Sequence, residues 1–255
     1  MAKSKKDELV KTNRVLAFLL VVVALGFGYS FGKLNGWFVE SVSKQELVRE
    51  ERVYVGELVE LPQPRLSGGM SLEAALQARR SIRSFSDQAL TMQQVSQVLW
   101  SMQGLTSDWG GRTTPSAHSA YPLELTVVVK NVNGLEPGIY HYIPGENALG
   151  MISMGVPDNF DEAAVQAAGK GSPVVFYVSG DFAKMAEAFE GESHDENVYL
   201  EAGHAGQNVY LQVESLGLGT VVMGGFNPVL MHEVLDLPSQ EVLIYQIPVG
   251  YSEEE

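Results

Sequence analysis

The segment at 197–215, NVYLEAGHAGQNVYLQVES, constrains the fold of this chain more than any other. Val198, Leu200, Ala205, Val209, Leu211 and Val213 recur at spacings that predict one long helix, apolar on nearly all sides. Such a helix must be covered over most of its surface, either by a sheet or by another subunit. Gly217-Leu218-Gly219 ends it, and 220–223 follows as a strand.

The elements around it alternate in type. A helix is predicted over 71–80, with Ser71 as its N-cap and Leu72, Ala75 and Leu76 on one face. A second, over 91–103, has Thr91 as cap and Val95, Val98, Leu99 and Met102 at helical spacing. Strands are expected at 123–130 (LELTVVVK), 138–142, 173–179 (PVVFYVS) and 241–249 (EVLIYQIPV), which are rich in β-branched and aromatic residues. Shorter helices are expected at 159–168 and 227–235. Helices and strands interleave, so the class is mixed α and β around one sheet.

Charge divides the chain unevenly. Lys3, Lys5, Lys6, Lys11 and Arg14 stand against Asp7 and Glu8, giving residues 1–14 a sum of +3. The whole chain carries −14, so the rest carries −17. The basic head leads into VLAFLLVVVALGFGYSF at 15–31, which has no charge, and continuing to Phe38 supplies the length of a bilayer span with Lys33 free to snorkel. Trp37, Phe38 and Tyr29 suit the interface. The expectation is a basic cytoplasmic head at 1–14 and a transmembrane anchor, or else a signal peptide, at 15–38. A linker ending in Pro62 and Pro64 fills 39–66, and one domain fills 67–255. Positive-inside orientation makes this a single-pass membrane protein with an extracytoplasmic domain. Acidity excludes a nucleic-acid partner, and the absence of cysteine excludes disulfides, thiolate metal sites and cysteine nucleophiles.

Three segments carry chemistry. Arg79-Arg80-Ser81-Ile82-Arg83 gathers three arginines in five positions of an acidic body, a donor set suited to a phosphate. The plainer alternative is arginines that finish a helix and pair with surface carboxylates. Gly224-Gly225, directly after a buried strand, lets backbone amides approach a planar ligand, although a simple turn would use the same residues. Thr114-Pro115-Ser116-Ala117-His118-Ser119 is a small-residue loop before a strand, with or without a ligand to line. Glu201 and His204 could in principle hold a metal together with His194 and Asp195, but a structural role is the preferred reading and no metal site is assigned. No nucleophile elbow, Walker loop or dinucleotide fingerprint appears.

Taken in order, RRSIRSF (79–85), TPSAHSAYPLELTVVV (114–129), GLEPGIYHY (134–142), YLEAGHAGQNVYLQVESLGLGTVVMGGF (199–226) and IPVGY (247–251) resemble the nitroreductase family of flavoproteins. The likeness is nearest to the branch that holds the dehydrogenases of thiazole- and oxazole-modified peptide biosynthesis. It implies an α+β fold with a central mixed sheet flanked by helices, and a homodimer with FMN at the interface. By the same resemblance Arg79, Arg80 and Ser81 hold the flavin phosphate and ribityl region. Arg83 lies near the pyrimidine edge, where a fixed guanidinium stabilises the reduced ring. Pro115, Ser116, Ala117 and Ser119 line the ring from the other subunit. Val222, Met223, Gly224 and Gly225 pass beneath it, Gln207 and Asn208 are further contacts, and His118 is a weak candidate proton donor.

Two departures from the family pattern stand out. Gly250-Tyr251 is followed by Ser252 and three glutamates, where the family often has a basic residue. Ala188-Phe189 stands where the azoline dehydrogenases carry a Lys-Tyr pair. The resemblance therefore implies an FMN-dependent oxidoreductase that passes a hydride from a donor such as NAD(P)H to a small planar acceptor, of nitroaromatic or quinone type. A peptide azoline dehydrogenase and a non-catalytic flavin-fold scaffold are the alternatives.

Overall fold

The computed structural model describes residues 49–253. The head and the stretch at 15–38 lie outside the described residues, as do residues 39–48 of the 39–66 stretch. Among the described residues no helix is long and apolar enough to cross a membrane. The expectation of a transmembrane helix, and with it the single-pass membrane location and the extracytoplasmic domain, is accordingly corrected. It rested on the uncharged run, its basic flank and its aromatic residues, and no spanning helix among the described residues supports it.

The fold is built on a seven-stranded sheet. Its strands, in chain order, are β1 (Val59–Glu60), β3 (Leu123–Val129), β5 (Gly138–Ile143), β6 (Ala148–Met154), β7 (Val174–Asp181), β8 (Gly219–Thr220) and β9 (Glu241–Gly250). They lie side by side as β1-β6-β5-β3-β7-β9-β8. Every neighbouring pair is antiparallel, so the central sheet is not the mixed one expected. Among the described residues the one parallel strand pairing joins β2 (Leu90–Thr91) to β4 (Val132–Asn133) in a separate ribbon. A hairpin links β5 to β6, and the helical excursions return the chain to the sheet running in the opposite direction.

Period-two alternation sorts the central strands between two cores. Leu125, Val127 and Val129 of β3, with Val174, Phe176 and Val178 of β7, face one cluster, while Val128, Val175 and Tyr177 face the other. The first cluster is covered by α2 (Met92–Gln103) and α6 (Asp195–Ser215), the second by α3 (Phe160–Ala164) and α7 (Pro228–Val234). The remaining helices are α1 (Leu72–Ala78), α4 (Ala167–Gly171) and α5 (Phe182–Ala188). Ser71, Thr91 and Asn227 cap their helices through side chains that accept from Ala74, Gln94 and Leu230 N–H.

The helix expected at 159–168 is two short pieces. Val165 has φ 61°, and the Gln246 side chain on β9 donates to the Ala164 carbonyl that a continuing helix would have used. The long helix buries one stripe, made by Val198, Ala202, Ala205, Val209 and Val213, against the sheet. Its far side is mixed in character. Tyr199 and Leu200 are exposed in the single chain, and so are Gly203, His204 and Gln207.

The folded unit begins at Arg49, inside the stretch 39–66. Arg49 pairs with Asp181 and Glu187 at 3.0 Å each. Arg52 Nη2 donates to both oxygens of Glu241 at 2.7 and 2.6 Å, with both side chains buried. Tyr54 bonds His141 at 2.7 Å, and Leu61 joins the core. Removing one member of a buried pair strands the other charge, which typically costs several kcal/mol. Arg52→Ala should therefore destabilise the domain by about 3 kcal/mol. Urea unfolding checks this, and a loss below about 1 kcal/mol would show that the pair does not fasten the segment.

Candidate functional site

Three backbone segments converge at the C-terminal end of α6. The chain leaves α1 at Arg79 in an extended conformation and runs beside β8, where the Ile82 N–H donates to the Thr220 carbonyl at 2.9 Å. A Cβ on Gly219 would lie 2.8 Å from Ile82, so only glycine admits this approach. Past β8, Met223 pairs with Gln246 through both backbone bonds, at 3.0 and 2.8 Å. This fixes the strand that ends in Gly224-Gly225 against β9.

Tyr210 on α6 ties these segments together. Its hydroxyl accepts from the Val222 N–H at 3.0 Å and lies 3.0 Å from Ser81 Oγ, while its ring sits 5.0 Å beneath the Arg79 guanidinium. Sequence reasoning assigned Tyr210 no role, although one signal was available. It stands one turn after Gly206, which faces Val222 at ordinary contact distance.

The arginines are left without acidic partners. Among the described residues no carboxylate forms an ion pair with Arg79, Arg80 or Arg83. Arg80 uses Nη1 on the carbonyls of Gln77, Ala78 and Arg79, finishing α1, and its backbone N–H donates to Glu214. Arg83 makes one long contact, 3.5 Å, to the Ser81 carbonyl and is exposed. Gly224 and Gly225 are also exposed, and no hydrogen bond among the described residues uses either N–H. A Cβ on Gly224 would find only the Ile244 carbonyl, at 3.9 Å, whereas one on Gly225 would run into Gln166. That edge is thus open at one glycine and tightly backed at the other.

The 114–119 loop is elsewhere on the same chain. Asn208 roots it by donating to the Ser101 carbonyl at 2.9 Å and to Thr114 Oγ1 at 3.2 Å, so Asn208 is engaged internally. Ser116 Oγ accepts from the Tyr121 N–H at 2.8 Å. Ala117–Ser119 is a short 3-10 turn. Pro115, His118 and Ser119 are exposed, and Ser116 and Ala117 half-buried. His118 stacks on Phe189, with centroids 4.3 Å apart, and Phe189 on His194 at 4.1 Å. Ser116 meets α6 near Glu201 and Ser81 meets it at Tyr210. At 1.5 Å per residue the Ser116 and Ser81 levels are roughly 14 Å apart along the helix. Gln207 lies exposed between them.

Behind the loop is a buried polar group. Gln103 bridges Arg112 and Glu201, accepting from Arg112 Nη1 at 2.8 Å and donating to Glu201 Oε1 at 3.3 Å. Burial pushes the Glu201 carboxyl up to about 7 despite these contacts. His204, the other half of the Glu-x-x-His pattern, is exposed, so the two do not share a site.

The family model for the nitroreductase family matches residues 76–251. A relative from Methanocaldococcus jannaschii that bears a nitroreductase name is 33% identical over 201 residues, covering 77% of this chain and 98% of its own length. A crystal structure from Ralstonia eutropha, also under a nitroreductase name, superposes with TM-score 0.65 at 27% identity over 80% of this chain and 95% of that one. The fold likeness extends to the Escherichia coli microcin synthetase complex, with TM-score 0.57 at 17% identity over 85% of each chain. With its arginine turn, its open glycine edge and most of its length matched, this chain belongs to the nitroreductase family.

Proposed function

We propose that the protein is an FMN-dependent oxidoreductase, working as a homodimer, that passes a hydride from a donor such as NAD(P)H to a small planar acceptor of nitroaromatic or quinone type. The observation that carries this reading is the set of unpaired arginines beside unused glycine amides in a chain of net charge −14. In so acidic a protein, cations left without carboxylates favour an anionic ligand.

The donor set fits a phosphorylated flavin. Arg79 and Ser81 would hold the phosphate and ribityl end, both kept in place by Tyr210. Arg80 would join them by leaving the carbonyls of α1. Arg83 would stand at the pyrimidine edge, its positive charge placed where reduction deposits negative charge. Val222, Met223, Gly224 and Gly225 would run beneath the ring, with a free glycine N–H available to N5. When bound, the flavin supplies the two-electron chemistry, and the chain supplies orientation, exclusion of water and fixed charge.

The offset of roughly 14 Å along α6 between the levels of Ser116 and Ser81 supports a site completed across a two-fold axis. Pro115, Ser116, Ala117 and Ser119 of one subunit would then cover the ring held by the other. Gln207, Tyr199 and Leu200, exposed on the outer face of α6, would lie toward the partner. His118 would be the candidate proton donor to substrate.

Within the family we place the chain nearest the branch of azoline dehydrogenases in scaffold, without assigning it their substrate. Where those enzymes carry a Lys-Tyr pair this chain has Ala188-Phe189, neither of which can act as a base for azoline oxidation. A scaffold without turnover is the second reading, favoured by Arg80 being spent on helix carbonyls.

A visible absorption spectrum of the purified protein separates the two. The enzyme should be yellow, bleach with NAD(P)H and recolour with a quinone, whereas the scaffold would be colourless and take up no added FMN. Arg83→Ala should slow flavin reduction by roughly tenfold or more while changing FMN affinity far less. An unchanged reduction rate in stopped flow would refute that role. Arg79→Ala should act in the opposite sense, weakening FMN binding by roughly tenfold in equilibrium titration.

A further inference from the structure

The corner between α3 and α4 is bent against its own preference. Val165 has φ 61° and ψ −60°, and the Gln166 N–H returns to the Ala164 carbonyl at 2.6 Å. This is a γ-turn of the rare, strained kind, and a β-branched residue at positive φ is an outlier in its own right. Packing of the side chain does not explain it, because Val165 is 54% exposed. Such strain persists where the surroundings over-determine it, and it gathers at functional sites.

The surroundings here are bonds to neighbouring elements. The Ala164 carbonyl also accepts from Gln246 Nε2 at 3.3 Å, while Gln246 Oε1 accepts from the Tyr177 hydroxyl at 2.6 Å, so both ends of that buried side chain are taken. A Cβ on Gly169 would lie 2.6 Å from Gln246, so α4 rests directly on it. Lys130 Nζ donates to the Gly169 and Lys170 carbonyls at 3.0 and 2.6 Å and ties down the far end of α4.

What the turn delivers is one side-chain amide. Gln166 Nε2 donates to the Gly225 carbonyl at 2.9 Å and fills the space that a Cβ on Gly225 would need. Two residues on, the Asn227 N–H donates to the Ala163 carbonyl at 2.9 Å. Met223 is already paired with Gln246 on β9. The stretch is therefore pinned at 223, 225 and 227. Gly224 uses neither its N–H nor its carbonyl among the described residues. Paired glycines have wide backbone freedom, so without the pin at 225 their amides would be offered in many directions.

We propose that Gln166 is a positioning residue: presented by the strained turn at Val165, its amide fixes Gly225 and so aims the unused Gly224 and Gly225 N–H groups at the ligand held by the arginine turn. Donors fixed beforehand need no reorganisation when the ligand arrives. That this ligand is a flavin rests on the function proposed above, whereas the hold of Gln166 on the glycine edge does not.

The test uses the full-length protein, isotopically labelled at glycine and freed of any bound flavin. Gln166→Met keeps the length and removes the donor. Gln166→Glu keeps the shape, and once ionised it can only accept. Both should displace the Gly224 and Gly225 amide signals in NMR, while the signals of Gly138 and Gly180 in the central strands and the urea midpoint stay where they are. Edge signals that stay in place in either variant would overturn the proposal, and so would edge signals that move only together with those of the central strands. Equilibrium titration with FMN gives a second readout. Both variants should bind it about fivefold more weakly, the worth of one ordinary hydrogen bond. Displaced edge signals with undiminished affinity would overturn the aim toward the ligand. A wild type that takes up no FMN would defeat the oxidoreductase reading and leave the amide signals decisive for Gln166.

Discussion

The structure depends on one stripe of small and β-branched side chains. Val198, Ala202, Ala205, Val209 and Val213 repeat at intervals of three and four along α6 and press it onto the face of the sheet formed by β3 and β7. Their burial supplies the adhesion, and the small residues let the helix lie close to the strands. Once α6 is seated, polar side chains beside the stripe each grip a different loop. Glu201 holds Gln103, which in turn accepts from Arg112, Asn208 roots the 114–119 loop, and Tyr210 joins the arginine turn to the glycine edge. A change in the register of that helix would disturb all three at once.

Charge shapes the molecule through which cations remain unpaired. Arg49, Arg52 and Lys184 are neutralised by carboxylates, and these contacts fasten the beginning of the folded unit and the entry to α5. Arg79, Arg80 and Arg83 are not, although the chain has an excess of acid to offer. A protein that leaves these three unpaired keeps a local positive potential in a negative field, and that contrast marks the site more sharply than the arginines alone.

Much of this was legible in the sequence, and the gaps have physical causes. Periodicity located α2, α6 and the strands β3, β5, β7 and β9 because their patterns are strong and the helix caps conventional. It missed β6, where Gly150 leaves a gap that the Tyr54 ring fills, so part of the apolar pattern lies nearly a hundred residues away. It missed α5, too short to show a repeat and announced only by Asp181, which accepts from the Lys184 N–H at 2.9 Å. It predicted one helix where Val165 breaks two, because the competing acceptor arrives from β9. Among site residues, the arginines and glycines were readable as chemistry. Tyr210 was not, since a tyrosine within an apolar helix looks like packing until the partners of its hydroxyl are known. The membrane span was a reading of hydropathy, and the described structure contains no helix that supports it.

The pairing of Arg52 with Glu241 spans 189 positions of sequence. Such a contact forms only after the entropy of closing a very long loop has been spent, and chains dominated by contacts of this kind fold slowly. It also imposes an order during synthesis. The first strap of the domain has nowhere to bind until the last strand has been made, and the same strand carries the backbone partners of Met223 and β8. The arginine turn and the glycine edge therefore come together late. A polypeptide interrupted before β9 would lack the strap, the edge and the pocket in a single stroke, so partly made chains cannot assemble a working site.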